Sequence, residues 1–203
     1  MHLYESIHPF RHVHIDTGLL WRILLLLALL LAAPFLAGCR HSESAIIAAS
    51  GPVIALSSST LQDGRVPKEC TCDGEDQSPV LSWQAPPDKT EALALTVTDP
   101  DAPGGTFTHW VLYNLPANTN SLPAGVPRQG QLANGSRQGK TDFGKVGYYG
   151  PCPPPGKPHR YVFTIYALDA KLEVPAGAPH AQLESAIEGH ILAHGELTAR
   201  YGR

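Results

Sequence analysis

Ala92-Leu93-Ala94-Leu95-Thr96-Val97-Thr98 runs without a break into Asp99-Pro100-Asp101-Ala102-Pro103, and this junction decides how the chain folds. The first seven residues are apolar or β-branched, which suits a buried strand. Proline fixes its own φ and pushes the preceding residue toward extended backbone, so Asp99 and Ala102 are poor positions for a helix. The strand therefore hands two carboxylates to a stiff turn. Two carboxylates this close repel when both are ionised, so one of them takes up a proton, a cation or a cationic ligand. A protonated His109 or His159 would supply part of that balance. Taken alone, Asp-Pro-Asp is also an ordinary turn in which an Asp side chain bonds its own backbone.

A second stretch changes the weight of the first. Gly150-Pro151-Cys152-Pro153-Pro154-Pro155-Gly156 leads into His159-Arg160-Tyr161, and Tyr161 opens Tyr161-Val162-Phe163-Thr164-Ile165-Tyr166-Ala167-Leu168, the clearest strand in the chain. His109 likewise stands just before Trp110-Val111-Leu112-Tyr113-Asn114-Leu115, a strand closed by Pro116. Two Pro-rich loops held by a sheet thus offer two carboxylates, two imidazoles and a phenol. Backbone N–H groups, a protonated imidazole and the Tyr161 hydroxyl can donate to an anion, while Asp99 or Asp101 can accept from an amine.

These two motifs, in this order and at this separation, resemble the phosphatidylethanolamine-binding protein family, also called Raf-kinase-inhibitor-like proteins, and most closely its bacterial YbhB/YbcL-type branch. The resemblance runs over residues 52 to 203 and extends to Cys72-Asp73-Gly74-Glu75 and Ser78-Pro79-Val80-Leu81-Ser82-Trp83. It implies a β-fold with a large and a small sheet, and one anion-accepting cavity where the loops meet. Carried over residue by residue, the family's ligand positions fall on Asp99, Asp101, His109, the Gly150-Pro151 backbone, His159 and Tyr161. The activity it implies is non-catalytic binding of a small anionic or phosphorylated headgroup, with no cofactor.

The remaining pattern agrees with a mostly β domain. Val53-Ile54-Ala55-Leu56 is a strand-like run, and Ser78 to Trp83 leads out of a polar turn. Leu122 to Gly147 is rich in Gly, Asn, Gln and Ser and reads as a long irregular surface loop, functional or mobile rather than packed. Leu183, Ile187 and Ile191 are spaced by four, with Ala186 and His190 nearby, as in a helix with one apolar stripe. His190 and His194 share that spacing but lack the acid and base of a zinc-peptidase helix, so a structural role is expected for them. Glu196 to Tyr201 reads as a short returning strand. Many short strands with Pro/Gly turns and one helix near the C-terminus describe an antiparallel, Greek-key-like β-sandwich.

With 203 residues and no internal repeat, the chain has room for one domain and a leader. Arg11 and Arg22 precede an apolar run from Ile23 to Ala33, shorter than the about 20 residues a spanning helix needs but suited to a signal peptide. Leu36-Ala37-Gly38-Cys39 then resembles a bacterial lipobox, in which the cysteine thiol is lipidated and the chain is cut just before it. The expected organisation is a lipoprotein signal peptide over 1–38, a tether over 39–51 and the folded domain over 52–203. The expected location is the bacterial cell envelope, facing the periplasm or exterior. A plain secretory signal, or a single anchor over Leu19 to Leu36, is the competing reading. The formal charge of −3 and the lack of a Lys/Arg cluster argue against nucleic acid as a partner. Membrane attachment would then come from the lipid and not from a polybasic patch. Nothing in the chain identifies a protein partner.

With Cys39 lipidated, Cys70, Cys72 and Cys152 remain, an odd set that allows one disulfide and one free thiol. Cys70 and Cys72 are too close to be an obvious pair, which leaves Cys152 to bond with one of them or all three to stay reduced and buried. The resemblance favours Cys72, because the bacterial branch carries one cysteine in its Cys-Asp-Gly segment and another in the Pro-rich loop. No fourth ligand completes a metal site, so no metal is expected. A hydrolase using the Asp/His/Tyr pocket, with Cys152 as a candidate nucleophile, and a protease or kinase inhibitor acting through the exposed Pro-rich loops are the alternative functions. For the leader, Cys39→Ala is expected to abolish lipid labelling and to change processing. Unchanged size and unchanged membrane fractionation would assign a plain signal or a spanning anchor instead.

Overall fold

The computed structural model describes residues 52–203; the expected signal peptide, the expected tether and Cys39 lie outside the described residues. Eight strands form two sheets. β1 (Leu56–Ser57), β2 (Leu81–Trp83) and β5 (Ser121–Leu122) make a small antiparallel sheet in the order β1-β2-β5. β3 (Ala92–Asp99), β4 (Phe107–Pro116), β6 (Arg137–Gln138), β7 (His159–Leu168) and β8 (Ile191–Tyr201) make a large antiparallel one in the order β6-β4-β3-β7-β8. The spatial order β7-β3-β4-β6 is that of a Greek key, with β7 returning through a long connection to lie beside β3.

Both faces of the large sheet are covered, which is why its central strands read as nearly unbroken apolar runs. Leu93, Leu95, Val97, Trp110, Leu112, Phe163 and Ile165 face the small sheet's Leu56, Leu81, Trp83 and Leu122 in one core. On the opposite face Ala94, Val111, Tyr113 and Leu168 pack with Leu172, Val174, Leu183 and Ile187. The last two belong to α1 (His180–Ile187), the α-helix among the described residues.

Four expectations about local structure are corrected. The helix does not reach Ile191: Gly189 takes a positive φ of 81°, the chain reverses, and Ile191 opens β8. The periodic spacing thus runs on past the end of the helix. β8 is correspondingly longer than Glu196 to Tyr201, and His190 and His194 share no helix face; His190 bonds Asp169 at 2.7 Å while His194 pairs with Tyr166. Of Val53 to Leu56, only Leu56 enters β1, whereas Val53 bridges His194 beside β8. Finally, Leu122 to Gly147 is irregular but anchored. Gln138 is fully buried on β6, accepts from Trp110 Nε1 at 2.7 Å and donates to the carbonyls of Pro127 and Gln129 at 2.7 and 2.8 Å. A polar composition hid a segment whose amide side chain satisfies a buried indole N–H and two loop carbonyls.

Cys72 and Cys152 are joined by a disulfide with Cα atoms 5.4 Å apart, and Cys70 is a buried free thiol. Burial, reinforced by Glu69 and Glu75, pushes the Cys70 thiol up to about 12, so it stays protonated and packs as a small apolar residue. The cross-link spans 80 residues, for which the chain-entropy model gives about 4 to 5 kcal/mol before strain. Cys152→Ser is therefore expected to lower the unfolding free energy by about 2–4 kcal/mol in urea titrations. Non-reducing peptide mapping should recover Cys72 and Cys152 in one linked species, and three alkylated thiols in the native domain would contradict the pairing.

Candidate functional site

The two Pro-rich motifs meet because β3 lies between β4 and β7. Thr98 is opposite Thr108 on one side and Val162 on the other, so the end of β3 and the starts of β4 and β7 share one end of the sheet. Asp99 closes β3 and is only 3% exposed. A buried carboxylate needs partners, and Asp99 has two. Oδ1 accepts the Asp101 backbone N–H at 2.9 Å, and Oδ2 accepts Nδ1–H of His159 at 2.7 Å.

His109 reaches this cluster through an irregularity in β4. Val97 pairs with Trp110 and Thr98 with Thr108, which leaves His109 as an extra residue with no partner on β3. Such a bulge bends its strand and re-aims side chains, and bulges concentrate beside functional sites. The His109 ring packs edge-on against Tyr161, with centroids 5.2 Å apart, and also meets Phe107 and Phe143 at 5.1 and 5.5 Å. Its Nδ1–H donates to the Tyr149 carbonyl at 2.7 Å, and the Tyr149 N–H returns to the His109 carbonyl at 3.0 Å. Burial holds the imidazole below its ordinary value, a pull that the Tyr149 carbonyl and the charges of Asp99 and Asp142 oppose without reversing.

Tyr161 is 0% exposed, and its hydroxyl lies against the Asp99 carboxylate without making a hydrogen bond of ordinary geometry to any described residue. Burial first, then the charge of neighbouring Asp99, drives the phenol far above its usual range, so it remains a donor.

Asp99, His109, His159 and Tyr161 therefore converge, nearly closed to solvent, while two expected contributors do something else. The Asp101 carboxylate turns to Arg160, taking its backbone N–H at 2.8 Å, Nε at 2.9 Å and Nη2 at 2.7 Å. The Arg160 side chain, then its backbone N–H, holds the Asp101 carboxyl far below the ordinary carboxylate range. The cation required by the paired carboxylates is thus Arg160, from the second motif itself. The Gly150-Pro151 backbone supplies no N–H to a ligand. Gly150 donates to Asp76 Oδ1 at 2.7 Å, and proline has no N–H to give. Gly150 is needed for close approach, since a Cβ there would stand 2.1 Å from the Cys70 carbonyl oxygen. Pro151 in turn accepts from Cys72 N–H at 3.1 Å, and Tyr148 donates to the Cys70 carbonyl at 2.7 Å. These bonds and the disulfide strap the loop to the 70–76 segment.

Sequence reasoning missed the shelf beside His109. Phe107, Phe143 and Tyr149 stack around it; Phe143 is 43% exposed, and the Arg128 guanidinium lies 4.1 Å above the Tyr149 ring. Tyr149 adjoins the second motif and was open to notice, whereas nothing local marks Phe143 or Asp76. A shallow recess lined by Gln131, Arg137, Glu173 and Pro175 contains none of the site residues.

The sequence profile of the family described as phosphatidylethanolamine-binding protein matches residues 57–202. The chain belongs to the phosphatidylethanolamine-binding protein family. Among similar proteins, a UPF0098 protein of Methanothermobacter thermautotrophicus is 47% identical over 140 residues, covering 69% of this chain and 92% of that one. YbhB of Escherichia coli is 44% identical over 133 residues, covering 64% and 84%. The crystal structure of Escherichia coli YbcL, described as a member of the mammalian family, superposes with a TM-score of 0.69 at 33% identity, over 74% of this chain and 98% of that one. Phosphatidylethanolamine-binding family membership brings a general character of ligand binding without catalysis.

The depressed titration of His109 has a stability consequence. Because the folded protein resists protonating this ring more than the unfolded chain does, the unfolded state binds more protons below its usual pKa near 6.5. This contribution is fully present above about pH 6.5 and is lost as pH falls toward the folded value. The urea midpoint should therefore drop on acidification below that pH, and His109→Gln should flatten this part of the profile. An identical slope in the variant would place the acid sensitivity elsewhere.

Proposed function

We infer that the protein is a non-catalytic binding module for a small anionic or phosphorylated headgroup, held at the cell envelope by a lipid on Cys39 and serving a regulatory or inhibitory role there. The observation that carries this reading is the Tyr161 hydroxyl, buried beside the Asp99–His159 pair without a hydrogen bond of ordinary geometry. An unsatisfied buried hydroxyl costs about 1–3 kcal/mol, and a ligand oxygen is the acceptor that removes that cost. His159 adds a second donor: Asp99 holds its Nδ1, and in the imidazolium form Nε2–H is left for the same anion. The hydrolase alternative loses its candidate nucleophile, because the Cys152 sulfur is consumed in the disulfide.

Inorganic phosphate followed by calorimetry or 31P NMR line broadening tests the reading. Tyr161→Phe keeps the packed ring and removes only the donor, so affinity should weaken about 5- to 10-fold, or roughly 1–1.4 kcal/mol. Equal affinity of the two proteins, or no binding by the wild type, would defeat the assignment.

A further inference from the structure

The Cys72–Cys152 disulfide lies at the surface. Both cysteines are exposed, and neither belongs to either apolar core. Access is a first requirement for thiol–disulfide exchange. The two sulfurs also sit in opposite electrostatic settings. Cys152 Sγ has the Arg203 guanidinium against it, with Nη1 3.8 Å away. Cys72 is flanked along the chain by the carboxylates of Glu69, Asp73 and Glu75. A neighbouring cation lowers the pKa of a thiol, and neighbouring carboxylates raise it.

The cation beside Cys152 is held in place. Arg203 Nε pairs with Asp73 Oδ2 at 3.2 Å, Nη1 also donates to the Pro153 carbonyl at 3.4 Å, and the Arg203 carbonyl accepts the Gly156 N–H at 3.1 Å. Tyr201 donates to the same Asp73 oxygen at 2.7 Å, which fixes the carboxylate in turn. The third cysteine does not compete. Cys70 is buried and its thiol is pushed up to about 12, so it supplies no thiolate to attack the bond from within. The nucleophile has to come from solvent.

We propose that Cys72–Cys152 is an exchangeable bond, opened by an external dithiol that attacks Cys72 while Cys152 departs as the thiolate beside Arg203. In the first step a thiolate of the dithiol bonds to Cys72 Sγ, the Cys72–Cys152 bond breaks, and its electron pair stays on Cys152 Sγ. In the second, the dithiol's other sulfur loses its proton and attacks the first. The dithiol closes to a disulfide, and Cys72 leaves and takes up a proton. Two electrons pass to the protein. The thiol of lower pKa is the better leaving group, and this sets the direction of attack.

Reduction loosens the loop without dismantling the domain. Tyr148 still donates to the Cys70 carbonyl, Gly150 to Asp76 and the Cys72 N–H to Pro151, and both cores are untouched. The Tyr149 carbonyl that fixes His109 Nδ1 rides on this loop, so redox state reaches the site through the strap, whatever the cavity binds.

A monothiol stops at the first step, so reduced glutathione with excess iodoacetamide records which sulfur is attacked. Peptide masses from the intact native protein should show glutathione on Cys72 and the alkyl group on Cys152. The reverse labelling, or a bond that glutathione opens only after unfolding in urea, would overturn the proposal. Arg203→Gln should slow the reaction about three- to tenfold and raise the pH at which Cys152 of the dithiothreitol-reduced protein is half alkylated. Arg203→Lys should keep both near the wild-type values. An unchanged rate and midpoint in Arg203→Gln would remove the cation from the mechanism and defeat the assigned polarity. Hydrogen exchange of the Cys72, Tyr149 and Gly150 amides should quicken on reduction while the β3 amides stay protected. Equal exchange in the two redox forms would overturn the link between the bond and the site.

Discussion

A carboxylate at the end of the central strand has to be satisfied without water, and the site is organised around how Asp99 achieves this. β3 pairs with β4 through Asp99 and with β7 through Thr98, and its last residue is buried at the junction. Ionised Asp99 could not stay there unpaired. One oxygen takes the backbone of its own Pro-rich turn and the other takes the imidazole that opens β7, 60 residues later. The first bond holds the shape of the turn. The second fixes the His159 tautomer and ties the two motifs together at their roots. The three-bond grip of Asp101 on Arg160 repeats that tie at the surface, where exposure makes it a positioning contact more than a source of stability.

A bulge and a strap complete the arrangement. Regular pairing of β4 with β3 would send His109 and Trp110 to opposite faces, whereas the extra residue brings the imidazole to Tyr161 while Trp110 stays in the core beneath it. The ring is then oriented by the carbonyl of Tyr149, on a loop that owes its position to the Cys72–Cys152 bond, the Gly150–Asp76 bond and the Tyr148–Cys70 bond. The orientation of His109 thus depends on bonds made by residues 70–76 to the loop that carries Tyr149.

The strands that carry the site were legible because a sheet covered on both faces leaves a plain imprint, as in Ala92 to Thr98 and Tyr161 to Leu168. The junctions with proline were legible for the same local reason, since proline constrains its neighbours whatever the fold. What escaped was decided at long range. Gln138 sits in a polar stretch and yet anchors β6, because its value lies in the Trp110 indole and two carbonyls brought to it by the fold. The stripe Leu183, Ile187, Ile191 outlasts its helix because Gly189 turns the chain while the apolar spacing continues into β8. The motif residues were found by type, but their partners were not. Nothing near Asp101 says that Arg160 will claim it, and nothing near Gly150 says that its N–H will go to Asp76, 74 residues away.

That last assignment changes the chemistry of the site. Anion sites at helix N-termini and Gly-rich loops present fixed backbone N–H groups and so favour fully charged oxyanions. A wall built from prolines, with its glycine amide already committed, cannot work that way. Tyr161 keeps its hydroxyl hydrogen, because burial and then the charge of Asp99 disfavour deprotonation. His109 is held by a carbonyl at Nδ1, and burial lowers its affinity for a second proton. The stiff loops therefore do more than hold side chains in place: with the Gly150 N–H committed to Asp76, they leave the polarity of this wall to the side chains beside it.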